Sequence, residues 1–309
     1  MYSRVLSTFP VLIAASILIF VAMRVLPGNP VTILTQGAPL SPEQRAALTR
    51  EYHLDEPIWK QYVAWVGGAL HGDLGVSLQS NEPVSTIVGH SLPRTLVLLA
   101  GAFTFSLLIS VPLGIAAALR EGTIAEQGII TFTMFLLSIP LFISCVLGIY
   151  FFAFRWQLLP AFGYGGSTAV SFCRHMILPW VTLGLALVAV QTATLRAGLL
   201  DVLRQEYITM AQSRGLPWSQ VLRRHALRSA LVPVVTLLGL QLSYMIVGSV
   251  FVDNIFGLGG LGSVLVNAVN FRDMPVVQAS VMIVSVFFVL ANLIVDLVAA
   301  RLDPRYAVR

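Results

Sequence analysis

Six stretches of this chain are apolar over about twenty residues or more: about Val5–Leu26, Thr95–Leu119, Ile129–Phe154, Met176–Leu195, Ala230–Val252 and Pro275–Ala300. The hydrocarbon core of a bilayer is roughly 30 Å thick, and about 20 helical residues cross it. Lipid offers no partner to a backbone amide or carbonyl, so each crossing must close its own hydrogen bonds as a helix. The prediction is an all-α polytopic membrane protein with six transmembrane helices. Composition agrees: 11% of the residues are charged, against roughly 25% in soluble domains. Pro112, Gly114, Pro140, Pro179 and Pro233 fall inside the stretches. In a bundle they predict kinks and close packing. The first stretch has no small-residue cleavage pattern before Pro27 and exceeds the roughly 7–15 residues of a signal-peptide core. It reads as a retained span or signal anchor.

Arginine supplies nearly all the positive charge, Lys60 being the only lysine. Arg196, Arg204, Arg214, Arg223, Arg224 and Arg228 crowd into the polar segment 196–229, and Arg301, Arg305 and Arg309 lie near the C-terminus. The positive-inside rule makes both regions cytoplasmic. Arg4 agrees, as does the even number of expected spans. Arg155 and Arg174 oppose the rule mildly, and the loop Arg120–Gly128 is too nearly neutral to decide anything. The net charge of +5 thus follows membrane topology, and no nucleic-acid partner is implied.

Segment 27–94 is long and polar, with turn signals at Pro27–Pro30, Gly72–Asp73 and Asn81–Pro83. Ser41-Pro42-Glu43-Gln44 has the form of a helix start, predicting a helix to about His53. Asp55-Glu56-Pro57 opens a second, with Trp59, Tyr62, Val63 and Val66 on one face. Together they predict a small extracytoplasmic helical cap, with an interfacial loop and tryptophan belt as the alternative.

Segment 196–229 is also structured. Leu199/Leu200, Leu203, Tyr207 and Met210/Ala211 recur at three- and four-residue spacing, one face of an amphipathic helix. Gly215 suits a left-handed helix end, with Pro217 just beyond. A second helix is expected from Pro217 or Trp218, with Val221, Leu222 and Ala226 on one face. A charged elbow held at both ends by spans can act as a lever on a soluble partner. It can equally lie flat on anionic membrane lipid.

The chain carries little chemistry of its own. Cys145 sits in an apolar stretch and Cys173 in a loop, so no disulfide is expected. The five histidines form no ligand cluster, so no metal site is expected. Lys60 follows Trp59, so no phosphate-cradling Gly-Lys-Ser/Thr loop exists. The glycine run Gly257–Gly262 reads as a tight turn before the last span, rather than a dinucleotide loop. Arg24 and Asp296 lie near span ends. The absence of a mid-span carboxylate to carry an ion weighs against a secondary transporter and favours energy supplied from outside the chain. An intramembrane enzyme would want a Ser/His or paired-Asp arrangement, which the stretches lack. A non-transporting scaffold is the other alternative. Gln191, Gln241, Ser243, Tyr244 and Asn292 are polar groups within spans. They line a pathway or bond neighbouring helices.

The run Glu206-Tyr-Ile-Thr-Met-Ala211-Gln-Ser-Arg-Gly215-Leu-Pro resembles the EAA loop of bacterial ATP-binding-cassette importer permeases, in the form used by the peptide branch. His225–Pro233 is similar to the same branch. So are Pro27-Gly-Asn-Pro, Leu54-Asp-Glu-Pro, Gly72-Asp-Leu-Gly-Val-Ser77, Ser91-Leu-Pro-Arg-Thr-Leu96, Ser138-Ile-Pro-Leu-Phe142, Phe256–Gly262, Arg272-Asp-Met-Pro275 and Leu302-Asp-Pro-Arg305. The resemblance, to the first permease subunit of dipeptide, oligopeptide and nickel importers, covers essentially the whole chain. It implies a single transmembrane domain over 1–309 and a pore shared with a second homologous permease. It also implies two ATPase subunits seated against Glu206, Tyr207, Ala211, Arg214, Gly215, Leu216, Pro217 and Trp218. An extracytoplasmic solute-binding protein would deliver di- or oligopeptides, or nickel or a metal chelate in the alternative. The chain itself would hold no cofactor, ATP and magnesium being bound by the ATPases. Its place would be the bacterial inner membrane, with both termini cytoplasmic.

Overall fold

The computed structural model describes residues 2–25, 41, 43, 55–166 and 168–302. The helix expected from Ser41 to His53 falls largely outside the described residues, as do Arg305 and Arg309 and the side chain of Asp296. Among the described residues every regular element is helical, and one isolated antiparallel bridge pairs Val76 with Pro83. The all-α expectation holds.

The helices in chain order are α1 Tyr2–Val25, α2 Ile58–Leu70, α3 Val84–Leu119, α4 Ile124–Ser138, α5 Leu141–Gly148, α6 Ala169–Leu203, α7 Glu206–Ser213, α8 Trp218–Gln220, α9 Leu227–Phe256, α10 Leu261–Asn270 and α11 Met274–Leu302. A π-helical turn, Ile149–Arg155, extends α5, and another, Val221–Ala226, joins α8 to α9.

The count of six spans is not reproduced. Four helices among the described residues are long and apolar enough to cross a membrane: α3, α6, the rod Trp218–Phe256, and α11 over Met274–Val295. A fifth results if Ile124–Ser138 and Leu141–Arg155 count as one broken span, bent by 95°. The kink expected at Pro140 within the stretch Ile129–Phe154 is thus a sharp bend that makes it a bent pair. The cause is Pro140, whose ring forces the preceding residue out of the helical region. Ile139 accordingly sits at φ −82°, ψ 119°. In α1 the apolar described part is Pro10–Ala22, only about 20 Å of helix.

The chain divides into two compact units. In the first, the described residues of 95–258 and 288–302, α6 is the hub. Its buried residues run from Met176 to Leu199 and pack on α3, α4, α5 and α9. The indole of Trp180 donates to the carbonyl of Val97 at 3.1 Å, and Gly101 is the residue that makes room for its ring. The second unit comprises the described residues of 2–94 together with 259–287. Its core joins Val84 and Val88 to Leu261, Ala268, Val276, Val277 and Ala279. Buried Asp273 accepts from the Ser77 hydroxyl at 2.5 Å and from the backbone amides of Leu78 and Gln79, which pins the turn after Gly75.

Within that unit α2 exists as predicted, but its packed face differs. Trp59 and Val63 are exposed, whereas Tyr62 and Trp65 stack on Phe20, and the Tyr62 hydroxyl meets Ser16 at 2.7 Å. The α2 helix is apolar almost all round, so spacing alone could not choose the face. The glycine run is a turn as predicted, with Gly257 at φ +60° ending α9 and Gly259 at φ +70°. The ten-residue α10 that follows was not foreseen.

Candidate functional site

The elbow between α6 and α9 gathers most of the residues singled out for coupling. The amphipathic helix expected across Leu199–Ala211 is in fact two pieces. The α6 helix runs on to Leu203, Gln205 turns extended at φ −77°, ψ 144°, and α7 restarts at Glu206. Glu206 occupies the first turn of α7, where the unpaired amides favour a carboxylate. The side of α7 that packs inward carries Ile208 and Ala211, while Tyr207 and Met210 face out. Spacing grouped Tyr207 and Met210/Ala211 on one face with Leu199/Leu200 and Leu203, and of these only Ala211 stays on the packed side of α7. The break rotates α7 out of register with α6, so periodicity read across it selects the wrong residues.

Ile208 and Ala211 enter one apolar cluster with Leu195, Leu199, Val221, Ala226, Ala230 and Val234, joined by Ala118 from the end of α3. The α7 helix stops as predicted. The Gly215 amide bonds to Gln212 O at 2.9 Å, and Gly215 takes φ +76°. A β-carbon there would touch nothing, so conformation rather than space requires the glycine. Pro217, at φ −63°, ψ 140°, then starts α8. Val221 and Ala226 are buried and Leu222 partly so, as the pattern predicted. The second helix of the elbow is not separate, however. Trp218 to Phe256 is one 39-residue rod, roughly 58 Å at 1.5 Å per residue. The outward face of the elbow presents Glu206, Tyr207, Arg214, Pro217 and Trp218, with Leu216 half-buried. An open groove of about 570 Å³ is lined by Arg204, Glu206, Thr209, Met210, Ser213 and Arg214.

Two ion pairs that sequence reasoning missed brace this elbow from the side. Glu126 is buried and pairs with Arg196, receiving both Nε and Nη2 on one oxygen, while its other oxygen accepts from the Gly122 amide at 2.6 Å. Glu121 pairs with Arg204 at 2.7 Å in the open. The loop 120–128 looked silent because its charges nearly cancel. The usable signal was Thr123-x-x-Glu126, a capping pattern. Thr123 does cap α4, its hydroxyl accepting from the Glu126 amide at 3.3 Å.

Of the five polar span residues, Gln191 and Gln241 meet directly and the other three show no bond to them or to each other. Gln191, 1% exposed, bridges three helices: it accepts from Ser110 at 2.8 Å and donates to Ser106 at 3.3 Å and to Gln241 at 2.8 Å. Buried Gln241 has an amide nitrogen left without a protein partner. Ser243 bonds back to Gly239, and Asn292 to Phe288. Tyr244 is 76% exposed, in line with exposed Leu240, Val247 and Phe251. Asp253, buried near the end of α9, was not singled out in the sequence.

Residues 110–308 match the family described as binding-protein-dependent transport system inner membrane component, and residues 1–100 match its companion N-terminal family. The chain is 33% identical over 321 residues to the dipeptide transport system permease protein DppB of Escherichia coli K12, covering 96% of this chain and 95% of that one. It is 37% identical over 311 residues to the oligopeptide transport system permease protein AppB of Bacillus subtilis, covering 98% and 97%. In fold it is similar to a chain of the MetNI methionine ABC transporter in an inward-facing conformation, at TM-score 0.56 and 18% identity over 70% of this chain and 96% of that one. The chain is a multi-pass membrane protein, and it belongs to the family of binding-protein-dependent transport system inner membrane components.

Proposed function

We propose that this chain is one of two homologous permeases forming the pore of an ATP-driven importer of di- or oligopeptides. The observation that carries the reading is the similarity to DppB and AppB along almost the whole chain, since those relatives are named for dipeptide and oligopeptide transport. The nickel alternative draws no such support. Two ATPase subunits dock on the outward face of the elbow at Glu206–Trp218 and hold the ATP and magnesium. This chain has no nucleotide chemistry of its own. An extracytoplasmic binding protein delivers the peptide on the opposite side, where segment 27–94 lies. The protein sits in the bacterial inner membrane with both termini in the cytoplasm.

The mechanism is alternating access. Closure of the ATPase dimer moves α7, and the apolar cluster around Ile208 and Ala211 passes that movement to α6 and to the rod Trp218–Phe256. Of the polar span residues, Tyr244 is the foremost pathway candidate because it stands exposed. Gln191 and Gln241 serve helix packing first.

Glu206→Lys and Gly215→Pro test the lever. Both variants should reach the membrane yet uncouple ATP hydrolysis from uptake, and normal uptake in both would remove the role. Growth on a dipeptide as sole source of a required amino acid, compared with nickel-dependent urease activity, tests the substrate class.

A further inference from the structure

We propose that the turn Arg120–Glu126 is a positioning part of the coupling element, holding the ends of α3 and α4 to the elbow through Glu126–Arg196 and Glu121–Arg204. The inference rests on the coupling role proposed for the elbow and assigns residues outside the EAA-like segment to it.

The two pairs differ in kind. The Glu126 carboxylate is buried and has both oxygens engaged, one by the Arg196 guanidinium and one by the Gly122 amide. It therefore fixes the turn and α6 as one body, because the Arg196 guanidinium cannot leave without stranding a buried carboxylate. Thr123 stiffens the same turn by donating to Arg120 O at 2.6 Å. Arg204 lies eight residues beyond Arg196, about 12 Å along the helix axis. Its pair with Glu121 is solvent-exposed and can break and re-form at little cost. Arg204 also ends α6 and lines the groove beside α7. A partner seated in that groove meets the labile pair first. The fixed pair lies farther back along α6, at Arg196, next in sequence to Leu195 of the apolar cluster that also includes Ala118 at the end of α3. Displacement of α7 is thereby shared with α3 and α4 instead of being absorbed by the extended link at Gln205.

The test uses the whole importer, assembled with its copurifying permease, ATPases and binding protein in proteoliposomes. The readout is radiolabelled dialanine taken up per ATP hydrolysed. Glu126→Gln, which keeps the shape and loses the charge, should lower this ratio by about fivefold or more, the lower end of typical coupling effects. Glu121→Arg should lower it too, and adding Arg204→Glu should restore it. A merely structural role for an exposed pair predicts neither loss nor rescue. If Glu126→Gln fails to assemble, the exposed pair and its swap decide alone. Gly215→Pro is run alongside. An unchanged ratio in the Glu126 and Glu121 variants while Gly215→Pro uncouples would overturn the inference and leave the elbow reading standing. An unchanged ratio in Gly215→Pro as well would remove both.

Discussion

Gly215 and Gly101 are both glycines for reasons that can be told apart. Gly215 needs φ +76° and has open space around it. Gly215→Asn should therefore be tolerated, because asparagine visits the left-handed region, while Gly215→Val should destabilise the helix end by about 1–2 kcal/mol. At Gly101 the backbone is helical, but a β-carbon would overlap the indole of Trp180. Gly101→Ala should cost about 1–3 kcal/mol through overpacking, and a smaller side chain at Trp180 should recover part of it. Thermal melting in detergent reads both. Gln191 and Gln241 make a similar contrast. Gln191→Leu breaks three side-chain bonds, whereas Gln241→Leu breaks one and removes an amide nitrogen that has no protein partner. The first should cost more in stability than the second, at roughly 0.6–2 kcal/mol for each hydrogen bond between membrane helices. The polar character of these residues was legible in the sequence. Which of them bond each other was not, because that depends on the rotation of three helices about their axes.

The elements show where periodicity works and where it fails. The termination of α7 at Gly215 and the start of α8 after Pro217 were readable because each rests on the backbone preference of one residue. Tyr207 was grouped on one face with Leu199 and Leu203 because spacing does not register the extended residue Gln205, which resets the helical phase. Pro140 was visible as a perturbation, but its consequence, a 95° bend rather than a kink, also depends on what the two halves pack against. The ion pairs bracing the elbow carry a prediction that separates burial from contact. Glu126→Ala strips the partly exposed Arg196 of its partner and the Gly122 amide of its acceptor, and should cost about 1–3 kcal/mol. Glu121→Ala should cost less than about 1 kcal/mol, because its pair is exposed and screened by solvent. Denaturation midpoints of the two variants in the same detergent check the order, and equal losses would contradict it.

For the molecule as a whole, apolar length and charge sidedness already gave a helical membrane protein with one elaborate polar elbow, and the family assignment agrees. What the apolar pattern could not give was the number of complete crossings. Helices such as α3 and α6 extend well past their apolar cores, while the Ile129–Phe154 stretch is divided by its bend. The fold supplies a rod of 39 residues and a braced elbow, but the proposed energy source lies on other chains. The most direct test is peptide accumulation in proteoliposomes by the purified chain alone and by the chain assembled with its second permease, ATPases and binding protein. The assembled importer should concentrate peptide only when ATP is present, and the lone chain should not concentrate it at all. Concentrative uptake by the lone chain would contradict the account.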